Sequence, residues 1–197
     1  MRGLVASCLL AVSLRGLAGN QIYEPLADSV RQRLSHMVSD RAPAKLHFGS
    51  AKDGQRWIDE MDKRLAARMP DRKQRLELLR TVHYEALRAR LDPQLVLGII
   101  EVESGFRKYA VSRSGARGYM QVMPFWVSLI GQPGHNLFHL RTNLAYGCAI
   151  LRHYLDMENG DYFRALGRYN GSLGKPEYPN LVLAAWKGRW AYDGPTA

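Results

Sequence analysis

The chain has 197 residues, 46% of them hydrophobic, enough to bury one core and too few to add a second large catalytic unit. Lys and Arg number 28 against 18 Asp and Glu, a formal charge of +10. That charge suits a polyanionic partner such as nucleic acid, an anionic membrane surface or the acidic polymers of a cell wall. Two cysteines far apart, Cys8 and Cys148, and no Cys/His cluster at ligand spacing give no basis for a structural metal.

At the N-terminus, Arg2 precedes an apolar run from Gly3 to Leu14 and small residues around Leu17, Ala18 and Gly19. This is the layout of an export signal over residues 1–19, and with it goes a periplasmic or envelope location. Arg15 departs from the layout, and the stretch from Val5 to Cys8, similar to a lipoprotein cleavage box, has too short an apolar run before it. No other segment approaches the ~20 continuous apolar residues of a membrane span, so the mature chain is expected to be soluble and to act as a monomer.

Residues 20–70 are charged and interrupted by Pro25, Pro43 and the run from Phe48 to Gly54, and read as an extension of helices and loops. Trp57, Met61 and Leu65, at steps of four, predict one apolar stripe on an otherwise charged helix. Aromatic residues interleaved with Arg also suit nucleic acid, but no nucleic-acid motif accompanies them. A helix docked by its stripe is the simpler reading.

The main domain is expected over residues 71–197. Leu76, Leu79, Val82, His83 and Leu87 share one side of its first helix, with His83 read as a packed histidine at the surface edge. Asp92 before Pro93 then marks a helix start: the carboxylate caps free amides, and proline occupies a position where no amide bond is lost. A helix over 93–104 follows. At about 100° per residue, Leu95, Ile99 and Glu103 fall on one face, and Glu101 points about 200° away from Glu103.

A carboxyl emerging from an apolar face loses hydration, which favours its neutral form and suits a general acid. Glu103 is thus the candidate catalytic group, and Glu101 reads as solvated or salt-bridged. On periodicity alone, an ion pair between Glu103 and Arg107, Arg113 or Arg117 is an open alternative. The glycine-rich loop that follows, with Gly115 and Gly118, has neither a Gly-Lys-Ser/Thr sequence nor a preceding strand, so it is no phosphate cradle. In the run from Asp156 to Asp161 a glycine stands at the fifth position of a would-be calcium loop and Gly167 at the twelfth, which excludes that site. Asp156 and Asp161 read instead as the end of one helix and the cap of the next, and Cys148 as a small buried helix residue.

Glu103-Ser104, then Ala110 to Pro124, Asn136 to Leu155 and Arg164 to Gly174, resemble in order and spacing the motifs of the soluble lytic transglycosylases, family 1. The similarity spans about Thr81 to Tyr178. It implies an all-α, lysozyme-like fold related to goose-type lysozymes, with a groove for the glycan strands of peptidoglycan. It also implies cleavage of the β-1,4 bond between N-acetylmuramic acid and N-acetylglucosamine by attack of the muramoyl 6-hydroxyl, leaving 1,6-anhydro ends and needing no cofactor.

Position by position, the resemblance makes Glu103 the single acid and base. Ser104 becomes a substrate-site hydrogen-bond partner, with a local bond to helix-end carbonyls as the alternative. Gln121 becomes a contact to sugar amides or hydroxyls. Met120 becomes a groove residue, with core packing as its alternative. Tyr169 and Asn170 match an Ala-Tyr-Asn motif whose tyrosine would hold the glutamate, and Tyr178 matches a tyrosine-bearing helix near the end. Tyr119 and Arg168 depart from the usual leucine and alanine; depending on its orientation, Arg168 would add positive potential beside Glu103 and lower its pKa. The rival readings are a lysozyme-type hydrolase and a non-catalytic wall-binding protein. A secretion or conjugation machine is a candidate partner, and nucleic acid is not expected.

Overall fold

The computed structural model describes residues 21–40 and 42–195; the export-signal expectation at 1–19, and Cys8 with it, lies outside them. Eight α-helices run through the described residues: α1 (Asp28–Ser39), α2 (Ala51–Leu65), α3 (Arg72–Arg88), α4 (Pro93–Ser104), α5 (Phe125–Ile130), α6 (Leu140–Met157), α7 (Tyr162–Asn170) and α8 (Glu177–Ala184), followed by a π-helical turn, Ala185–Arg189. Among these residues β pairing is confined to two isolated bridges, Val111 with Arg117 and Arg117 with Val122. The all-α expectation holds. No helix among the described residues is long and apolar enough to cross a membrane.

Local sequence explains most of the boundaries. Ser50 caps α2 by accepting from the Asp53 amide at 3.1 Å, Asp71 caps α3 through the amides of Lys73 and Gln74, and Asp161 caps α7 through that of Arg164. Asp92 starts α4 as predicted, accepting from the Gln94 amide at 2.7 Å, and Gly105 ends it in the left-handed region at φ 57°. The stripe of Trp57, Met61 and Leu65 is fully buried.

Helix α3 departs from the single-faced reading. Leu79, Val82 and His83 are buried, but so are Tyr84, Glu85 and Ala86, because α3 lies between α2, α4 and α6. His83 is therefore a core residue and not an edge one. Its ring stacks on Phe48 at 4.4 Å and meets Trp57 edge-on at 5.2 Å. Burial, and secondarily the charge of His47, push its imidazole down to about 4, so it stays neutral in this aromatic setting.

Helix α6 packs against α1, α3 and α7, and Cys148 lies buried within it. Burial pushes the thiol well up, with Glu85 adding to the effect. The N-terminal extension is fastened to α3 and α6 through charge. Arg141 of α6 reaches Asp40 at 2.5 Å and Glu85 at 3.0 Å, Arg88 reaches Glu85 at 2.6 Å, and the Tyr84 hydroxyl donates to Asp40 at 2.9 Å.

The C-terminal residues grip α4 at both ends. The indole N–H of Trp186 donates to Asp92 at 2.8 Å and that of Trp190 to Glu101 at 2.6 Å. Between them the backbone passes over Gly98, where a Cβ would stand 3.2 Å from the Trp186 nitrogen. The helix carrying both glutamates is thus held along its length.

Candidate active site

Glu103 lies at the end of α4 on the face that Leu95 and Ile99 bury, and is 4% exposed. The hydroxyl of Tyr178, from α8, donates to its Oε1 at 2.7 Å. Burial holds the Tyr178 phenol well above its ordinary value, reinforced by the charge of Glu103, so it remains a donor. Lost hydration and a donated hydrogen bond act in opposite directions on a carboxyl proton. That balance suits a group that must release a proton and then recover one.

Glu101 is committed elsewhere. It accepts from Arg68 at 2.7 Å, from Trp190 at 2.6 Å and from Arg189, the salt-bridged role that its position on the helix implied.

The other predicted positions assemble behind Glu103 as a fastened loop. Gly118 takes φ 75°, and a Cβ on it would fall 2.6 Å from the Leu137 carbonyl oxygen; only glycine fits this turn. Gln121 is itself left-handed at φ 49° and 1% exposed. Its side-chain amide donates to the carbonyls of Gly118 at 2.9 Å and Ala110 at 3.1 Å. These donors are spent on the loop, where a contact to sugar was expected of them. Met120 is fully buried, and a Cβ on Gly147 would stand 2.4 Å from its sulfur: it is a core residue, the alternative that its residue type had left open. Ser104 donates to the Ile100 carbonyl at 3.1 Å and is 1% exposed, the local helix-end bond.

Tyr169 is fully buried and donates to the Met120 carbonyl at 2.8 Å. Burial first, then Glu103, keep its phenol protonated. The tyrosine that holds the glutamate is therefore Tyr178, a correction to the role expected of Tyr169, which fixes the loop instead. Asn170 is buried at the end of α7. Arg168 pairs with Glu158, so its charge is neutralised there. Tyr119 is buried, and its hydroxyl proton is held by burial and by the charge of Glu77.

Two residues that bear on the site were not singled out by sequence. Asn143, fully buried on α6, accepts from the Met120 amide at 2.8 Å and donates to the carbonyls of Arg117 at 2.8 Å and Leu137 at 2.9 Å. It satisfies three backbone groups of the loop at once. Gln21, only 4% exposed, accepts from the Met123 amide at 3.2 Å, donates to the Gln121 carbonyl at 3.5 Å and shares a hydrogen bond with Tyr169. Asn143 stands in a run already suspect from its sequence, whereas nothing around Gln21 signals its role.

An all-helical core thus presents the buried Glu103 at the end of α4, ahead of a glycine-turned loop, and the family match makes this domain lysozyme-like. Residues 80–178, about half the chain, match the Transglycosylase SLT domain, and the chain belongs to that family. It is 32% identical over 115 residues to a transglycosylase of Enterobacteria phage PRD1, covering 55% of this chain and 42% of the phage protein. It is also 34% identical over 100 residues to the membrane-bound lytic murein transglycosylase C of Photorhabdus laumondii, covering 43% of this chain and 28% of the relative. Over 52 residues it is 50% identical to the protein of the same name from Actinobacillus pleuropneumoniae, covering 26% of this chain and 13% of that one. The chain spans less than half the length of each of these relatives. No solved structure matches it.

Proposed function

We propose that this chain is a lytic transglycosylase of peptidoglycan, acting at the cell envelope where that polymer lies. It cleaves the β-1,4 bond between N-acetylmuramic acid and N-acetylglucosamine and closes the muramoyl residue to its 1,6-anhydro form. Glu103 gives its proton to the glycosidic oxygen as the bond to the anomeric carbon breaks. The resulting carboxylate takes the proton of the muramoyl 6-hydroxyl as that oxygen bonds to the same carbon, and Glu103 is restored without water. Tyr178 holds the carboxyl in register through both transfers, while Gln121, Tyr169 and Asn143 keep the loop beside it in one shape.

The observation that carries this reading is that the other buried carboxylate is already committed to arginines. Among the described residues the buried carboxylates are Glu85 and Glu103, and Glu85 is engaged by Arg88 and Arg141. Glycosidases that activate water or form a glycosyl ester use two carboxyl groups about 5–9.5 Å apart. A single acid and base instead calls for a nucleophile within the substrate, and a tethered hydroxyl has a high effective concentration.

The test compares two substitutions on one helix. Glu103→Gln keeps size and removes the transferable proton, so turnover of purified peptidoglycan should fall about 10²–10⁴-fold with the fold intact. Glu101→Gln should instead lower the melting temperature by loosening Arg68, Arg189 and Trp190, with turnover by the folded protein little changed. Equal losses of turnover in two folded variants would contradict the assignment.

A further inference from the structure

From Ser104 to Leu155 the chain contains no Asp or Glu, yet it carries Arg107, Lys108, Arg113, Arg117, Arg141 and Arg152. Arg141 and Arg152 pair with carboxylates of the protein. Lys108, Arg113 and Arg117 are exposed, and among the described residues none of the three makes an ion pair. All three stand on the loop that runs from Glu103 to Gln121, two of them around a pair of rings, Tyr109 exposed and Phe138 half-buried. Tyr109, 70% exposed, meets Phe138 at 5.8 Å; the Lys108 ammonium lies 5.3 Å from the first ring and the Arg117 guanidinium 5.9 Å from the second. Val111 beside them is 60% exposed. Glu77 of α3, which acts on Tyr119, is the acidic neighbour on that side.

Three unpaired cations on one edge repel one another and cost stability, so their concentration there favours an external anion. The exposed Tyr109 ring, backed by the half-buried Phe138, offers a flat apolar rest at little cost in side-chain freedom. The edge is also continuous with the site. Ala110, next to Tyr109, accepts from the Gln121 side chain at 3.1 Å, and Val111 pairs with Arg117 across the same loop. The three cations thus stand on the loop that directly follows Glu103 in the chain.

We propose that Lys108, Arg113 and Arg117, around the Tyr109 and Phe138 rings, form a cationic lip that takes the carboxylates of the acidic peptide stems on a glycan strand lying in the site. This rests on the function proposed above, since it assigns the lip to the same substrate. The lip recognises the peptide portion of the polymer, while Glu103 acts on the sugar. It predicts a preference for peptide-bearing over bare glycan that fades as salt screens it.

The experiment uses soluble glycan strands, one portion intact and the other stripped of peptides by an amidase. Binding is measured with the Glu103→Gln chain, so that it is read without cleavage, and then with Lys108→Gln, Arg113→Gln and Arg117→Gln added. At low salt the intact strands should bind about tenfold tighter than the stripped ones, and the triple substitution should remove that difference while leaving the stripped strands unaffected. In the otherwise native chain the same triple should raise KM on intact strands and leave kcat unchanged. Equal weakening on both kinds of strand, or none on either, would overturn the lip. Loss of binding to phosphatidylglycerol vesicles, with no change on intact strands, would overturn it in favour of a membrane surface. Cleavage of neither strand by the native chain would count against the proposed function, and the binding comparison would still decide the lip.

Discussion

Glu101 and Glu103 differ by two positions on one helix and meet opposite surroundings. Two guanidinium groups and an indole fix the first in a structural tie, and the Tyr178 phenol donates to the second at 2.7 Å. A donor aimed at a carboxylate oxygen favours the charged form and also fixes the direction of its lone pairs. Tyr178→Phe should therefore lower the maximal rate on purified peptidoglycan, by about ten- to a hundredfold, because the carboxyl is no longer held in register. An unchanged rate in a folded variant would show that Tyr178 does not position it.

At the scale of elements, the periodicity of apolar residues was enough to read α2 and α4, and the Asp92-Pro93 start and Gly105 stop follow from chemistry within a few residues. What was not legible is what other elements bring. The Tyr178 bond to Glu103 spans 75 residues of sequence and the Gln21 contact to Gln121 spans 100; no local pattern encodes either. His83 was misread for the same reason, since its burial comes from Phe48 and Trp57 on other segments.

Charge also joins the extension to the rest of the molecule. Asp62 of α2 accepts from Arg75 of α3 at 2.6 Å and from Arg72 at 3.2 Å. The Arg75 hydrogen bond, against the effect of burial, holds the Asp62 carboxyl below its ordinary value of 3.8, with Arg72 assisting. A carboxylate lowered in the folded state stabilises the fold above its unfolded value and loses that contribution as pH falls through the folded one. The melting temperature should therefore drop as pH is lowered below about 4, and Asp62→Asn should be less stable than the native chain at neutral pH and flatter in that acid range. Parallel curves for the two proteins would exclude this tie as a source of acid lability.

Across the whole molecule, the residues that the resemblance put at the substrate make bonds within the protein. Gln121, Met120, Ser104 and Tyr169 are each at most 1% exposed, and their polar atoms satisfy backbone groups of the loop and of α4. A motif match shows that residues belong together without showing whether they face the substrate or brace what does, because both duties constrain residue type. Asn143 and Gln21 extend this bracing to α6 and to the N-terminal segment, so the loop after Glu103 is also held by a residue that precedes the family match.

In the proposed reaction Glu103, held by Tyr178, needs a nucleophile from the substrate. The mass of the products from purified peptidoglycan digested to completion tests this. Muropeptides ending in 1,6-anhydromuramoyl residues, each lighter by one water than its hydrolysed counterpart, are the predicted result. Reducing muramoyl ends throughout, formed with uptake of water, would contradict it.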